Sequence, residues 1–145
     1  MNDSSSTLKM EYIIVSEFDY KINTNVDFEK MEQIDISINP KPILRDNDKH
    51  KGLLELEVSL FDDDYIINKK PLHLKIVVLA YFADEETDTE ENIFDKYLAN
   101  IISMAYSYVR SYISSTTGLF GIRNINIPTV NVLKLLQNIS ENKKS

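Results

Sequence analysis

From Ile93 to Ile113, apolar and aromatic residues recur at spacings of three and four. They are Ile93, Phe94, Tyr97, Leu98, Ile101, Met104, Ala105, Tyr108, Val109, Tyr112 and Ile113. That period belongs to one long amphipathic helix. Thr87 and Glu90, inside the acidic stretch that precedes it, have capping-box spacing at the positive end of the helix dipole. Thr116, Thr117 and Gly118 close it, glycine suiting the residue after a helix. The helix is therefore expected from about Thr89 to Thr117, about 29 residues or about 43 Å long. In a chain of 145 residues, such a rod covers a sheet and still offers apolar surface to a neighbouring subunit.

The residues before the helix alternate with period two, which argues for strands. Tyr12, Ile14, Phe18, Tyr20 and Ile22 fall on one face of the first, with Glu17, Asp19 and Lys21 opposite. Ile34, Ile36 and Ile38 mark a second strand, expected to stop at Asn39-Pro40-Lys41-Pro42. After a polar loop from Arg45 to Lys51, Leu54, Leu56, Val58 and Leu60 alternate with Glu55, Glu57 and Ser59. Leu72, Leu74, Ile76, Val78, Ala80 and Phe82 line a fourth strand. Its other face, His73, Lys75, Val77, Leu79 and Tyr81, turns apolar at one end, as do Ile13 and Val15 on the first strand. Either a loop or the last helix covers that strip, or it is an open binding surface. Beyond the long helix, Asn131 is a good N-cap for a short one carrying Val132, Leu133, Leu135, Leu136 and Ile139. Four strands followed by a long and a short helix predict an α+β fold with a four-stranded antiparallel sheet. Residues 1–10 read as a disordered tail, 11–140 as a single domain and 141–145 as a C-terminal tail.

Charge and composition remove several functions. A net charge of −7, with 23 acidic against 16 basic residues, disfavours nucleic acid and anionic membrane surfaces. No apolar run is long enough to cross a bilayer, and the polar start Met1-Asn2-Asp3-Ser4 is unlike a signal peptide, so a cytoplasmic location is expected. Three glycines supply no phosphate-cradling loop, and the absence of cysteine removes thiolate chemistry. His50 and His73 lack metal-site spacing, and no Gly-x-Ser-x-Gly elbow is present. Asp62-Asp63-Asp64 and the acids from Asp84 to Glu91 lack the spacing of a calcium loop and read as solvated connections. No catalytic residue, metal or cofactor is expected; an acid-dependent hydrolase would require one Asp or Glu to be indispensable.

Two C-terminal segments carry a family resemblance. The helix holds the step Tyr108-Val109-Arg110 and a Ser/Thr-rich end, and Ile127-Pro128-Thr129-Val130-Asn131-Val132 follows. In that order, behind four strands, they resemble the export chaperone SecB and its SecB-like relatives. The resemblance covers residues 11–140 by element order and is specific over Tyr108–Leu136. It implies a homotetramer built as a dimer of dimers, with hydrophobic grooves that hold non-native polypeptides without ATP. Tyr20, Leu79, Tyr81, Phe120, Leu133 and Leu136 are the expected groove residues, and Met104, Tyr108 and Tyr112 the expected oligomer interface.

The resemblance also implies an acidic outer sheet face that docks the translocation motor SecA. Glu17, Asp19, Glu55 and Glu57 are the candidates for that face here. Lysines at positions 21 and 75 stand where the family carries acids, Ser107 replaces a proline before the Tyr-x-Arg step, and the tail is short and basic. Weak or absent SecA docking is the expectation. Holding preproteins for export, guarding an antitoxin of a toxin–antitoxin system, and serving as an adaptor for one folded partner are the readings carried forward.

Overall fold

A computed structural model describes residues 7–27, 33–121 and 124–144, with side chains through 138. Of the tail expected at residues 1–10, residues 1–6 lie outside the described residues. Four strands, β1 (Leu8–Ile22), β2 (Ile36–Arg45), β3 (Asp48–Leu60) and β4 (Leu72–Asp84), precede α1 (Ile93–Leu119) and α2 (Val132–Lys144). The sheet is antiparallel in the order β1-β4-β3-β2, so the expected α+β architecture is the one observed. Two boundaries differ from expectation at the ends. β1 starts at Leu8 because residues 8–10 pair with Phe82, Ala83 and Asp84, and α2 runs to Lys144 through the supposed tail.

β2 continues through Pro40 and Pro42, which was not expected. The two prolines share strand parity and pair with Leu56 and Leu54. Their missing N–H groups fall on one side of an edge strand, where no ladder bond is forfeited. The loop expected from Arg45 to Lys51 shrinks to Asp46 and Asn47, both at φ 54°, between the paired Arg45 and Asp48. Those left-handed angles match the right-handed strand twist in a tight hairpin, and Asp and Asn tolerate them.

β1 does not keep one pleat. Its register with β4 slips between Met10 and Tyr12 and again between Val15 and Glu17, leaving Glu11 and Ser16 as extra residues. Each bulge exchanges the faces of the residues beyond it. Ile13 and Val15 thus join Phe18 and Tyr20 against the core. Tyr12 and Ile14, expected beside them, lie on the opposite face, 52% and 45% exposed. The apolar Ile13 and Val15 need no separate cover.

The core lies between this sheet and α1. Leu54, Leu56, Val58, Leu74, Ile76 and Val78 meet Ile101, Ile102, Ala105, Val109 and Ile113, all fully buried. α1 begins at Ile93, four residues later than the expected Thr89, because Asn92 is its cap, accepting the N–H groups of Phe94 and Asp95 at 2.9 Å each. The Thr87–Glu90 pair takes no part in the cap. At the far end the helix passes through Gly118 to Leu119, and the glycine at positive φ is Gly121 (φ 88°). The first turn is tied down by a buried ion pair, Lys96 Nζ to Asp84 Oδ2 at 2.7 Å, with Thr7 donating to the other carboxylate oxygen. Tyr97, whose hydroxyl meets Thr7, leaves helical geometry (φ −132°) and kinks the rod there.

The segment after α1 folds back along it. Tyr106 donates its hydroxyl to Pro128 O (2.7 Å) and Arg110 donates Nε–H to Ile127 O (3.0 Å). The fully buried Thr117 accepts the Ile125 N–H at 2.9 Å while donating to Ile113 O. Ile125 and Ile127 are thereby pressed into the core, and Asn131 caps α2 through the Lys134 N–H.

Two measurements follow. Thr117→Val leaves the buried Ile125 N–H unpaired and is expected to cost about 1–3 kcal/mol in urea unfolding. Thr116→Val, whose hydroxyl bonds only carbonyls of its own helix, stays near neutral. At Asp84, burial alone would raise the carboxyl pKa. Hydrogen bonds from Lys96, Thr7 and the Glu86 N–H, with the Lys96 charge, outweigh it and hold the pKa below the ordinary carboxylate value. A lowered folded pKa gives stability that is present above about pH 4 and lost as pH falls through the folded value. Asp84→Asn should remove that part of the acid limb in a pH series of thermal melts.

Candidate functional site

The expected groove residues occupy three places. Tyr20 and Phe120 meet directly, with ring centroids 4.7 Å apart. Leu79 and Tyr81 stand on the opposite, outward face of the sheet. Leu133 is 68% exposed on α2, whereas Leu136 packs against the core. The structure therefore brings only the first pair together, and adds residues that sequence reasoning assigned elsewhere. Phe18 lies 6.0 Å from the Phe120 ring and 5.6 Å edge-on from Tyr112, which stacks in turn on Tyr108 at 6.4 Å.

These five rings form an aromatic shelf where β1 passes the C-terminal half of α1. Phe18 and Tyr20 reach it because the Ser16 bulge returns even-numbered residues to the helix side. Tyr108 and Tyr112 reach it by their four-residue spacing, and Phe120 by the fold-back after α1. Phe120 is 45% exposed and the other four are half-buried. The outer edge of β1 has no strand partner among the described residues. Aromatic surface beside free backbone donors and acceptors is the chemistry that takes an extended polypeptide: main-chain bonds give affinity, and apolar contacts tolerate many sequences. Phe18 was legible only as a strand residue, because nothing local shows that its face ends at a helix.

Met104, Tyr108 and Tyr112 lie at helical spacing along α1, with Met104 38% exposed. They run along the flank of the helix that leads to the shelf. The expected interface thus shares Tyr108 and Tyr112 with the aromatic shelf.

The outward sheet face divides in two. At one end Tyr12 stacks on Tyr81 (4.3 Å) beside Ile14 and Leu79, with the Arg45 guanidinium 5.2 Å from the Tyr81 ring. Tyr12 and Ile14 are exposed there, whereas on the apolar strip read on β4 Leu79 and Tyr81 are half-buried and Val77 is buried. At the other end Glu17, Asp19 and Glu57 share a face with Lys21 and Lys75. Lys75 bridges Glu17 (3.0 Å) and Glu57 (3.6 Å), and its pKa is raised chiefly by the hydrogen bond to Glu17. Lys21 lies 3.7 Å from Asp19, while Glu55 stands opposite Leu79 and Lys41 at the apolar end.

No family model and no curated protein matches this sequence. Several solved structures share the fold, and two of them illustrate it. One is the Mycobacterium tuberculosis SecB-like chaperone Rv1957 in complex with a ChAD peptide from the HigA1 antitoxin. Its TM-score is 0.61 at 10% identity, covering 86% of this chain and 88% of that one. The other is a Streptococcus agalactiae protein of unknown function, with a TM-score of 0.50 at 10% identity, covering 86% and 99%. The resemblance read from Tyr108–Leu136 thus meets a SecB-like fold in three dimensions.

Proposed function

We propose that this protein is an ATP-independent holdase that binds unfolded polypeptides and keeps them from folding or aggregating. The observation that carries the reading is the aromatic shelf of Phe18, Tyr20, Tyr108, Tyr112 and Phe120 beside the free edge of β1, set in a SecB-like fold. Binding of this kind needs adaptable apolar surface and no catalytic group. In this reading the elements from β1 (Leu8) to α2 (Lys144) act as one domain in the cytoplasm, without cofactor. A dedicated antitoxin client is the favoured form, because the Mycobacterium relative is bound to an antitoxin peptide. General preprotein export is the alternative. SecA docking is weak in this reading, since Lys75 occupies two of the candidate acids, Glu17 and Glu57.

A chemically denatured client, diluted into buffer and followed by light scattering, tests the holdase. Stoichiometric protein should suppress its aggregation. Phe120→Ser, at a position 45% exposed, should weaken client binding about tenfold with an unchanged circular dichroism spectrum. No suppression by the unaltered protein, or full activity in Phe120→Ser together with Tyr20→Ser, refutes the reading.

The assembly in this reading is a homotetramer, a dimer of dimers with α1 flanks in contact through Met104, Tyr108 and Tyr112. Met104→Asp buries an unpaired charge at such an interface and should release smaller species. Multi-angle light scattering reads the result directly. A folded monomer for the unaltered protein overturns the tetramer.

A further inference from the structure

The outward face of the sheet carries an apolar band that crosses every strand. The strand registers place Tyr12, Tyr81, Leu53 and Ile43 in one row, with Ile14 and Leu79 side by side in the next. Tyr12, Ile14 and Ile43 are 52%, 45% and 41% exposed, although α1 covers only the opposite face. A solvated sheet face would be polar along such a row, so an apolar row from edge to edge marks a contact.

Charge is laid out unequally on the two sides of the band. On one side stand Lys9 and Lys51, both opposite Ala83, both exposed and without an ion pair among the described residues. On the other side Glu17 and Glu57 both stand opposite Val77. Lys75 bridges these two carboxylates at 3.0 and 3.6 Å, which leaves the trio with a surplus negative charge. β1 and β3 therefore run in the same sense from a cation, through the band, to an anion.

That layout is self-complementary about one axis. A two-fold axis along the band, between the rows of Tyr81 and Leu79, turns the sheet over onto a second copy with each strand facing its own counterpart. Tyr81 then meets Leu79 of the other copy, Lys9 meets Glu17, and Lys51 meets Glu57. An axis along the strands would instead set lysine on lysine and glutamate on glutamate. Glu55, in the row of Leu79, keeps Lys41 beside it toward the β2 rim. Sheets so related pack within about 30° of alignment, the common arrangement of two packed sheets. Four rows about 6.8 Å apart on strands about 4.8 Å apart cover about 500 Å² per copy, about 1,000 Å² in all, which is the lower end for a specific contact.

We propose that this band is a two-fold contact with a second copy of the chain, sheet face on sheet face, steered by Lys9 and Lys51 against Glu17 and Glu57. It uses neither the aromatic shelf nor the flank of α1, and it does not depend on the chaperone reading. An area of this size gives a reversible pairing that follows concentration.

The test is sedimentation equilibrium from micromolar to millimolar chain, with methyl spectra of the isoleucines. It is run on the unaltered protein and on Met104→Asp, which opens the α1 contact. Both should double in mass as concentration rises. The Ile14 and Ile43 methyl signals should move with concentration, while Ile66 and Ile67, exposed on the β3–β4 connection, stay fixed. Tyr12→Ser should weaken the association about tenfold. Lys51→Glu and Glu57→Lys should each weaken it severalfold, and the two together in one chain should restore it, because the reversed pair meets again across the axis. A mass that does not rise in either protein overturns the proposal. So does a double reversal no tighter than the single ones. Isoleucine signals that move only when a denatured client is added assign the face to clients and overturn it as well.

Discussion

Because a strand shows its two faces alternately, the pleat of β1 decides what the sheet offers to α1 and what it offers outward. The extra residues Glu11 and Ser16 set that pleat. With Ser16 in place, Ile13 and Val15 press on the core and Phe18 and Tyr20 reach the helix flank. Without it, the same strand would turn either its upper or its lower half the wrong way. The Ser16 hydroxyl, bonded to Val77 O at 3.2 Å, holds the bulge against β4. The shelf and the charged half-face around Lys75 take their composition from the Ser16 bulge, and the placing of Tyr12 and Ile14 beside Tyr81 follows from the one at Glu11.

The bulge was legible, though by a different sign than the one followed. Apolar residues at 13 and 15 and then at 18 and 20 are separated by three rather than two across Ser16. A slip of phase in a period-two pattern marks an inserted residue. The prolines of β2 were misread for a related reason. Their cost depends on whether a strand is at an edge, and strand order is not a local property of sequence. The long helix was readable because its period is local and sustained. Its first cap was not, since Asn92 and Thr87 are both good caps and only the position of Asp84 and Lys96 selects between them.

The Tyr-x-Arg step shows how far a motif can be read without geometry. Tyr108 and Arg110 are two residues apart and so point to different sides of α1. Arg110 acts with Tyr106, one turn earlier, to hold the carbonyls of Ile127 and Pro128. Tyr108 stacks on Tyr112 toward the shelf. The motif thus joins two separate tasks, anchoring the fold-back and supplying aromatic surface. Its companion segment from Ile127 is the object that Arg110 anchors, which is why the two occur together in this chain.

The two sheet edges differ in what they permit. β2 carries Pro40 and Pro42 with their N–H-less sides outward, so a strand laid against it would lack partners at two positions. That protects it from unplanned pairing. β1 has no proline in its 15 residues and runs past the aromatic shelf. Among the described residues, main-chain bonding and aromatic contact are therefore available together only on the β1 side. The asymmetry confines strand addition to that edge, where any added strand, whatever its source, meets the same backbone groups.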